Sequence, residues 1–124
     1  MMKILIVDDD AFLRELYAMK FVECGHDVIT ALHASDALRI LEQGDVFDLM
    51  LVDMIMPGMT GVELLNEIKK MVPKVKMKLI VLSNQGQDQD IEEAKKAGAI
   101  GYIIKAQSIP SEVVKKVEEI MSAK

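Results

Sequence analysis

The stretch Leu49-Met50-Leu51-Val52-Asp53-Met54-Ile55-Met56-Pro57-Gly58 constrains the fold more than any other part of the chain. An apolar run of about five residues closed by turn residues suits a strand buried on both faces, and such strands belong to parallel sheets covered by helices. Asp53 then stands at the strand's carboxyl end. In open α/β sheets the ligand crevice lies just outside that edge, so a carboxylate there is placed for chemistry. An aspartate that only opens the turn before Pro57-Gly58 would look the same in isolation, so the ends of the other strands have to decide.

Lys3-Ile4-Leu5-Ile6-Val7 is a similar run and stops at Asp8-Asp9-Asp10. Leu13, Leu16, Tyr17, Lys20, Phe21 and Cys24 then follow the spacing of one helical face, and Gly25 is the natural stop. His26 to Ala31 reads as a second strand, and Ala34, Ala37, Leu38 and Leu41 mark a second helix ended by Gly44. The third strand runs from Phe47 to Asp53. Thr60 with Glu63 forms a capping-box pattern that starts a third helix, with Leu64, Leu65, Ile68 and Met71 inward and Pro73 at its end. Lys74 to Lys78 reads as a solvated connection. Leu79 to Leu82 is the fourth strand, ending at Ser83-Asn84, and Gln85 to Asp90 is a polar, mobile loop. Ile91, Ala94 and Ala97 give the fourth helix a small-residue face closed by Gly98. Ile100 to Lys105 is the fifth strand, and Pro110 fits the first turn of a last helix with Val113, Val114, Val117, Ile120 and Met121 inward. Five strands alternating with five helices predict an α/β domain with a parallel sheet and right-handed crossovers.

At 124 residues the chain suits one domain, 1–124, with a single continuous core. No apolar stretch approaches the roughly 18 residues needed to cross a bilayer, and Met1-Met2-Lys3 leads into a strand rather than a signal peptide. This predicts a soluble, cytoplasmic protein. A net charge of −5 and three phenylalanines, two tyrosines and no tryptophan argue against direct nucleic-acid binding. Cys24 is the one cysteine, without a disulfide or zinc partner, and reads as a small core hydrophobe. His26 and His33 lack ligand-like companions and read as surface or loop residues.

In a parallel sheet Asp8 and Asp9, Asp53, Ser83 and Lys105 all fall on the same edge. Like charges a few ångströms apart cost on the order of a few kcal/mol, and Lys105 alone does not compensate three carboxylates. A hard divalent cation such as Mg²⁺ would, since it takes one or two carboxylates with waters and phosphate oxygens. A carboxylate beside Mg²⁺, a lysine and a hydroxyl suits phosphoryl transfer, with Asp53 as nucleophile giving an aspartyl-phosphate. Singly, the acids could cap the first helix, Ser83 could be a turn residue and Lys105 a surface charge; their joint placement at the strand ends argues otherwise.

The chain resembles the receiver domain of bacterial two-component response regulators, in the manner of single-domain chemotaxis regulators. The resemblance covers essentially the whole chain and rests on the acids after Ile4-Leu5-Ile6-Val7, Val52-Asp53 with Met56-Pro57-Gly58 and Gly61, Leu82-Ser83, Ala97-Gly98-Ala99 with Gly101-Tyr102, and Lys105. It implies a flavodoxin-like (βα)5 doubly wound sheet in strand order 2-1-3-4-5, with two helices on one side and three on the other. By position it implies Asp53 as phosphoacceptor, and Asp9, Asp53 and the Ile55 carbonyl as direct Mg²⁺ ligands with Asp8 helping through water. Ser83, Asn84 and Lys105 would contact the phosphoryl group. Ser83 and Tyr102 would form the switch, acting on an output face of fourth helix, fifth strand and fifth helix. The implied partners are a histidine kinase or phosphotransfer protein, docking on the first helix near Phe12, Arg14, Glu15, Ala18 and Met19, and a downstream output protein or a removed output domain. The chain would be a monomer, or a dimer through the output face when phosphorylated. It would catalyse only its own phosphorylation and dephosphorylation.

Two departures from the family pattern stand out. Ala106 replaces the proline that usually follows the lysine, which predicts a trans bond and a shifted loop from Ala106 to Ile109, with room for a change in both docking and lysine placement. Asn84 replaces a residue that is often small, which narrows access to the site. A haloacid-dehalogenase-like phosphatase would need Asp-x-Asp-x-Thr/Val from Asp8, and Phe12 stands in the Thr/Val place. Nucleotide binding lacks a glycine-rich loop after the first strand. A receiver-like interaction module that takes little or no phosphate would rest on Ala106 and Asn84 alone.

Overall fold

The computed structural model describes residues 1–71, 77–84 and 86–123. The order of elements is β1 (Lys3–Val7), α1 (Ala11–Glu23), β2 (Asp27–Ala31), α2 (Ala34–Glu42), β3 (Leu49–Val52), α3 (Gly61–Lys69), β4 (Lys78–Ser83), α4 (Asp88–Lys96), β5 (Gly101–Ile104), a 3₁₀ turn at Lys105–Gln107 and α5 (Pro110–Ser122). The five strands are all parallel, in the order β2-β1-β3-β4-β5.

The central strands are apolar on both faces because each face has its own core. Ile4, Ile6, Leu49, Leu51, Ile80 and Leu82 pack with Tyr17 and Phe21 of α1 and Val113, Val114 and Val117 of α5. On the other face Leu5, Val7, Met50, Val52, Leu79 and Val81 pack with Ala34, Ala37 and Leu41 of α2, Leu64, Leu65 and Ile68 of α3 and Ala94 of α4. Alternation along each strand sends successive side chains to opposite faces, so a continuous apolar run fills both cores. The two-and-three distribution of helices follows.

Helix starts are set by local chemistry. Asp10 caps α1, its carboxylate accepting the Leu13 N–H at 3.1 Å. Thr60 Oγ1 accepts the Glu63 N–H at 3.2 Å while Glu63 Oε1 accepts the Thr60 N–H at 2.9 Å, the reciprocal box that the sequence predicts. Pro110 opens α5, where its missing N–H costs nothing.

Several boundaries differ from the sequence reading. Lys78 belongs to β4 rather than to the preceding connection, α4 begins at Asp88 and so takes over half of the polar loop, and Ile100 lies outside β5. Phe47 and Asp48 precede β3, and Asp53 follows it. Met71 is only partly buried against the core, and Pro73 with residues 74–76 lies outside the described residues. Cys24 is exposed, not part of the core, because α1 ends at Glu23 and the chain turns away at the cap. His26 is no surface residue: its side chain is 8% exposed, its Nδ1 accepts the Met2 N–H at 3.0 Å and its Nε2 lies 2.8 Å from Glu118 Oε2. His33 is the residue before α2, partly buried, with its backbone N–H bonded to Asp36. No helix among the described residues is long and apolar enough to cross a membrane.

Candidate functional site

Register brings the chemistry together. Val7 pairs with Val52, so Asp8 and Asp53 leave adjacent strands side by side. The ladder persists one residue further, with the Asp53 N–H on the Val7 carbonyl at 3.1 Å and the Asp8 N–H on the Ala31 carbonyl at 3.2 Å. Ser83 pairs with Ile104, which sets Lys105 at the same edge.

Lys105 is the hub of the site. Its Nζ lies 2.6 Å from Asp8 Oδ2 and 3.0 Å from Asp53 Oδ2. All three groups are buried, as is Ser83. The 3₁₀ turn at Lys105–Gln107 carries Ala106, and the lysine nevertheless reaches both acids, so the missing proline does not cost the site its cation. Asp9 is exposed, and one oxygen each from Asp8, Asp9 and Asp53 lies within 4.8 Å of the others. Among the described residues Lys105 is the one cation bridged to this cluster.

Backbone and helix contacts hold the acids in place. Asp8 Oδ1 accepts the Asp10 N–H at 2.9 Å, and Asp53 Oδ1 accepts the Ile55 N–H at 3.2 Å. Arg14, one turn into α1, donates from Nη1 to the Asp8 carbonyl at 2.9 Å. Gly61 at the start of α3 packs on the peptide after Asp53: a Cβ there would sit 2.3 Å from the Asp53 carbonyl oxygen and 2.8 Å from Met54 Cα. Nothing in the sequence signals the Arg14 contact, because a carbonyl acceptor carries no residue type. A glycine at the first helical position does signal a close approach.

Burial pushes the Asp8 carboxyl above its ordinary value, against the pull of Lys105 and the Asp10 amide, and the charge of Asp53 adds to the rise. Burial alone would lower the Lys105 ammonium, but the Asp8 bond and the charges of both acids outweigh it and raise it. Tyr102 is pushed up to about 12, first by burial and then by Asp90, while a hydrogen bond with Ser83 opposes the rise. Ser83 and Tyr102 are therefore linked at the β4 and β5 edge, and Asn84 is exposed beside them. The Ile55 side chain is exposed at the rim.

The donor set fits a hard divalent cation. Among the described residues, three carboxylates against one bridging ammonium leave a net negative pocket, every donor is oxygen, and exposed Asp9 keeps one side open to water. Such a site could hold Mg²⁺ beside a nucleophilic carboxylate.

Comparison with known proteins agrees with this geometry. The family model described as response regulator receiver domain matches residues 4–118. The chemotaxis protein CheY of Thermotoga maritima is 34% identical over 120 residues, covering 95% of this chain and 96% of the relative. The solved structure of Vibrio cholerae CheY4 superposes with a TM-score of 0.87 at 26% identity, covering 97% of this chain and 98% of that one. The solved structure of the BeF3-activated DrrB receiver domain superposes with a TM-score of 0.81 at 26% identity, over 99% of each chain. With a sheet in the order 2-1-3-4-5 and this match over nearly its whole length, the chain belongs to the response regulator receiver domains, the CheY-like switch modules of two-component signalling.

Proposed function

We propose that the chain, as a single receiver unit over 1–124, accepts a phosphoryl group on Asp53 from a phosphohistidine of a sensor kinase or phosphotransfer protein and relays its arrival to an output partner in the cytoplasm. One observation carries the reading: Lys105 Nζ bridges Asp8 and Asp53 while Asp9 completes a three-carboxylate cluster beside them. In the transfer, an Asp53 carboxylate oxygen forms the new O–P bond as the N–P bond of the phosphoimidazole breaks and the imidazole leaves. Asp9, Asp53 and the Ile55 carbonyl would hold Mg²⁺ directly, and Asp8 through water. The ion would neutralise phosphoryl oxygens and align them with the attacking carboxylate. Lys105 gives up its Asp53 contact for a phosphoryl oxygen, and Asn84 borders the same group.

Ser83 would then turn toward the phosphoryl group, and Tyr102, linked to it, would follow inward. The group can shift the equilibrium only by its differential contacts with the two arrangements. The face of α4, β5 and α5 would carry the readout to an output protein or domain, as a monomer or as a dimer formed on phosphorylation. The donor would dock on α1 around Phe12, Arg14, Glu15, Ala18 and Met19, where Phe12 is 74% exposed. The structural neighbour activated by BeF3, a phosphoryl mimic, supports the same chemistry.

Incubation with a small acyl phosphate and Mg²⁺ should add one phosphoryl group by intact mass, and Asp53→Asn should abolish the addition. Equal labelling of the variant overturns the assignment of Asp53. No labelling of the wild type, together with no binding of beryllofluoride, makes the chain a receiver-like interaction module instead.

A further inference from the structure

Every polar atom of Asp8 is committed. Its N–H donates to the Ala31 carbonyl at 3.2 Å, its Oδ2 lies 2.6 Å from Lys105 Nζ, its Oδ1 accepts the Asp10 N–H at 2.9 Å and its carbonyl accepts from Arg14 Nη1 at 2.9 Å. The first three follow from the strand ladder, the ion pair and the turn into α1. The fourth brings a charged side chain back from the helix onto the strand end. Arg14 is rooted by its own N–H on the Asp10 carbonyl at 2.9 Å, and its Nη2 lies 3.8 Å from Glu15 Oε1. Its side chain is 14% exposed against 68% for Glu15, so the guanidinium lies inward against Asp8 and not out in solvent.

The Asp8 carbonyl belongs to the rigid peptide that carries the Asp9 N–H and ends on Asp9 Cα. Holding that oxygen holds the plane. On the other side of Asp9 the next peptide is held by its N–H, that of Asp10, on Asp8 Oδ1. With both flanking planes pinned, the φ and ψ of Asp9 are set, and its carboxylate keeps only side-chain rotations. Asp9 is exposed, so packing does little to aim it. One of its oxygens nevertheless lies within 4.8 Å of an oxygen of Asp8 and of Asp53, two like charges that push it outward. The clamped backbone on either side holds its Cα against that push.

We propose that Arg14 is a positioning residue for the metal: its hydrogen bond to the Asp8 carbonyl holds the Asp8–Asp9 peptide so that the Asp9 carboxylate stays turned toward Asp8 and Asp53. The inference rests on the reading of this cluster as a Mg²⁺ site. Charge and position act in opposite directions here, which makes the role separable. As a charge, the guanidinium repels an incoming dication, and its removal would tighten binding. As a clamp, it presents a metal ligand, and its removal loosens that ligand and weakens binding.

The test compares wild type with Arg14→Met and Arg14→Lys. Methionine keeps most of the apolar stem and removes donor and charge, while lysine keeps the charge and a donor without the planar fork. The first readout is the dissociation constant for Mg²⁺ alone, followed by amide shifts in NMR. Arg14→Met should bind at least threefold more weakly, with Arg14→Lys between it and wild type. The second is amide hydrogen exchange in chelator, where the Asp10 N–H should speed up in Arg14→Met at least threefold beyond any change at residues 80–82 of β4, which report overall stability. A smaller loss of Mg²⁺ affinity in Arg14→Met, or a gain, overturns the proposal, as does an Arg14→Lys that binds more weakly than Arg14→Met. An Asp10 amide that changes no more than those of β4 overturns it too, because a merely structural role would move both alike. If wild type binds no Mg²⁺, the metal reading fails and takes the positioning role with it, whereas a failed clamp leaves wild-type Mg²⁺ binding intact.

Discussion

Replacing Asp9 by asparagine should make the metal-free protein more stable while removing its response to magnesium. The carboxylate oxygens of Asp8, Asp9 and Asp53 lie within 4.8 Å of one another. At that separation and an effective dielectric near 20, each like-charged pair costs about 3.5 kcal/mol. Asp9 faces two such repulsions, and the Lys105 ammonium, already shared between Asp8 and Asp53, offsets roughly one of them. Because Asp9 is exposed, water screens most of the remainder and leaves a cost on the order of 1 kcal/mol. Relief of that cost should raise the melting temperature by about 3–5 °C for a domain of this size.

Magnesium should reverse the ranking. A ligand at about a hundred times its dissociation constant stabilises the folded state by ~2.7 kcal/mol, and Asp9 would supply one of its direct oxygens. Thermal melts of wild type and Asp9→Asn, each in chelator and in a magnesium series, give the four values needed. The variant should melt higher in chelator and lower in saturating magnesium, and added monovalent salt should narrow the first gap by screening. A variant that is less stable in chelator, or that gains as much from magnesium as wild type, refutes the electrostatic reasoning.

Gly61→Ala should cost about 1–3 kcal/mol, because the new methyl meets backbone at the Asp53–Met54 peptide and not a movable side chain; urea titration reads the loss, and an unchanged midpoint would show that α3 can back away. Thr60→Ala should cost about 1 kcal/mol by removing half of the reciprocal cap, measurable in the same titration. The pKa of Tyr102, raised to about 12, means that its contribution to stability is fully present below its unfolded value of 10.0 and is lost as pH rises through about 12; ultraviolet titration should show this late ionisation, absent in Tyr102→Phe. Asp8 is also raised, so its contribution is fully present below 3.8 and is lost as pH rises through the higher folded value; in chelator, Asp8→Asn should remove this low-pH gain and steepen the loss of stability on acidification.

How much of this was legible from the sequence depends on whether a feature is local or set by topology. Strands β1 and β3 announce themselves because burial on both faces leaves no polar position in the run. The pairing of Lys105 with Asp8 and Asp53, 97 and 52 residues away, was legible for a different reason: a parallel sheet aligns all carboxyl ends, so topology alone brings them to one edge. The His26–Glu118 contact spans 92 residues and was not legible, since it depends on where the last turn of α5 meets the start of β2, which no strand-end rule describes. Cys24 follows Phe21 at helical spacing and reads as inward, but the helix stops one residue short and the periodicity no longer applies. The run Asp8-Asp9-Asp10 shows the limit most sharply: three identical side chains take three jobs, Asp8 on Lys105, Asp9 exposed at the cluster's edge and Asp10 on the Leu13 amide, and only register and helix phase tell them apart.

That division bears on function. Asp10 alone satisfies the helix, so capping does not account for Asp8 or Asp9. Asp8 is buried at an energetic cost, visible in its raised pKa, and Asp9 adds a charge that Lys105, the one ammonium bridging the cluster among the described residues, cannot balance. A fold that needed only stability would do better with asparagine at position 9. Local choices that conflict with the rest of a well-packed core point to a site that binds something, and here the deficit has a sign, a size and a donor type. It calls for a small oxygen-binding cation, and under the proposed function the nucleophile that such an ion would serve is the carboxylate at the end of β3.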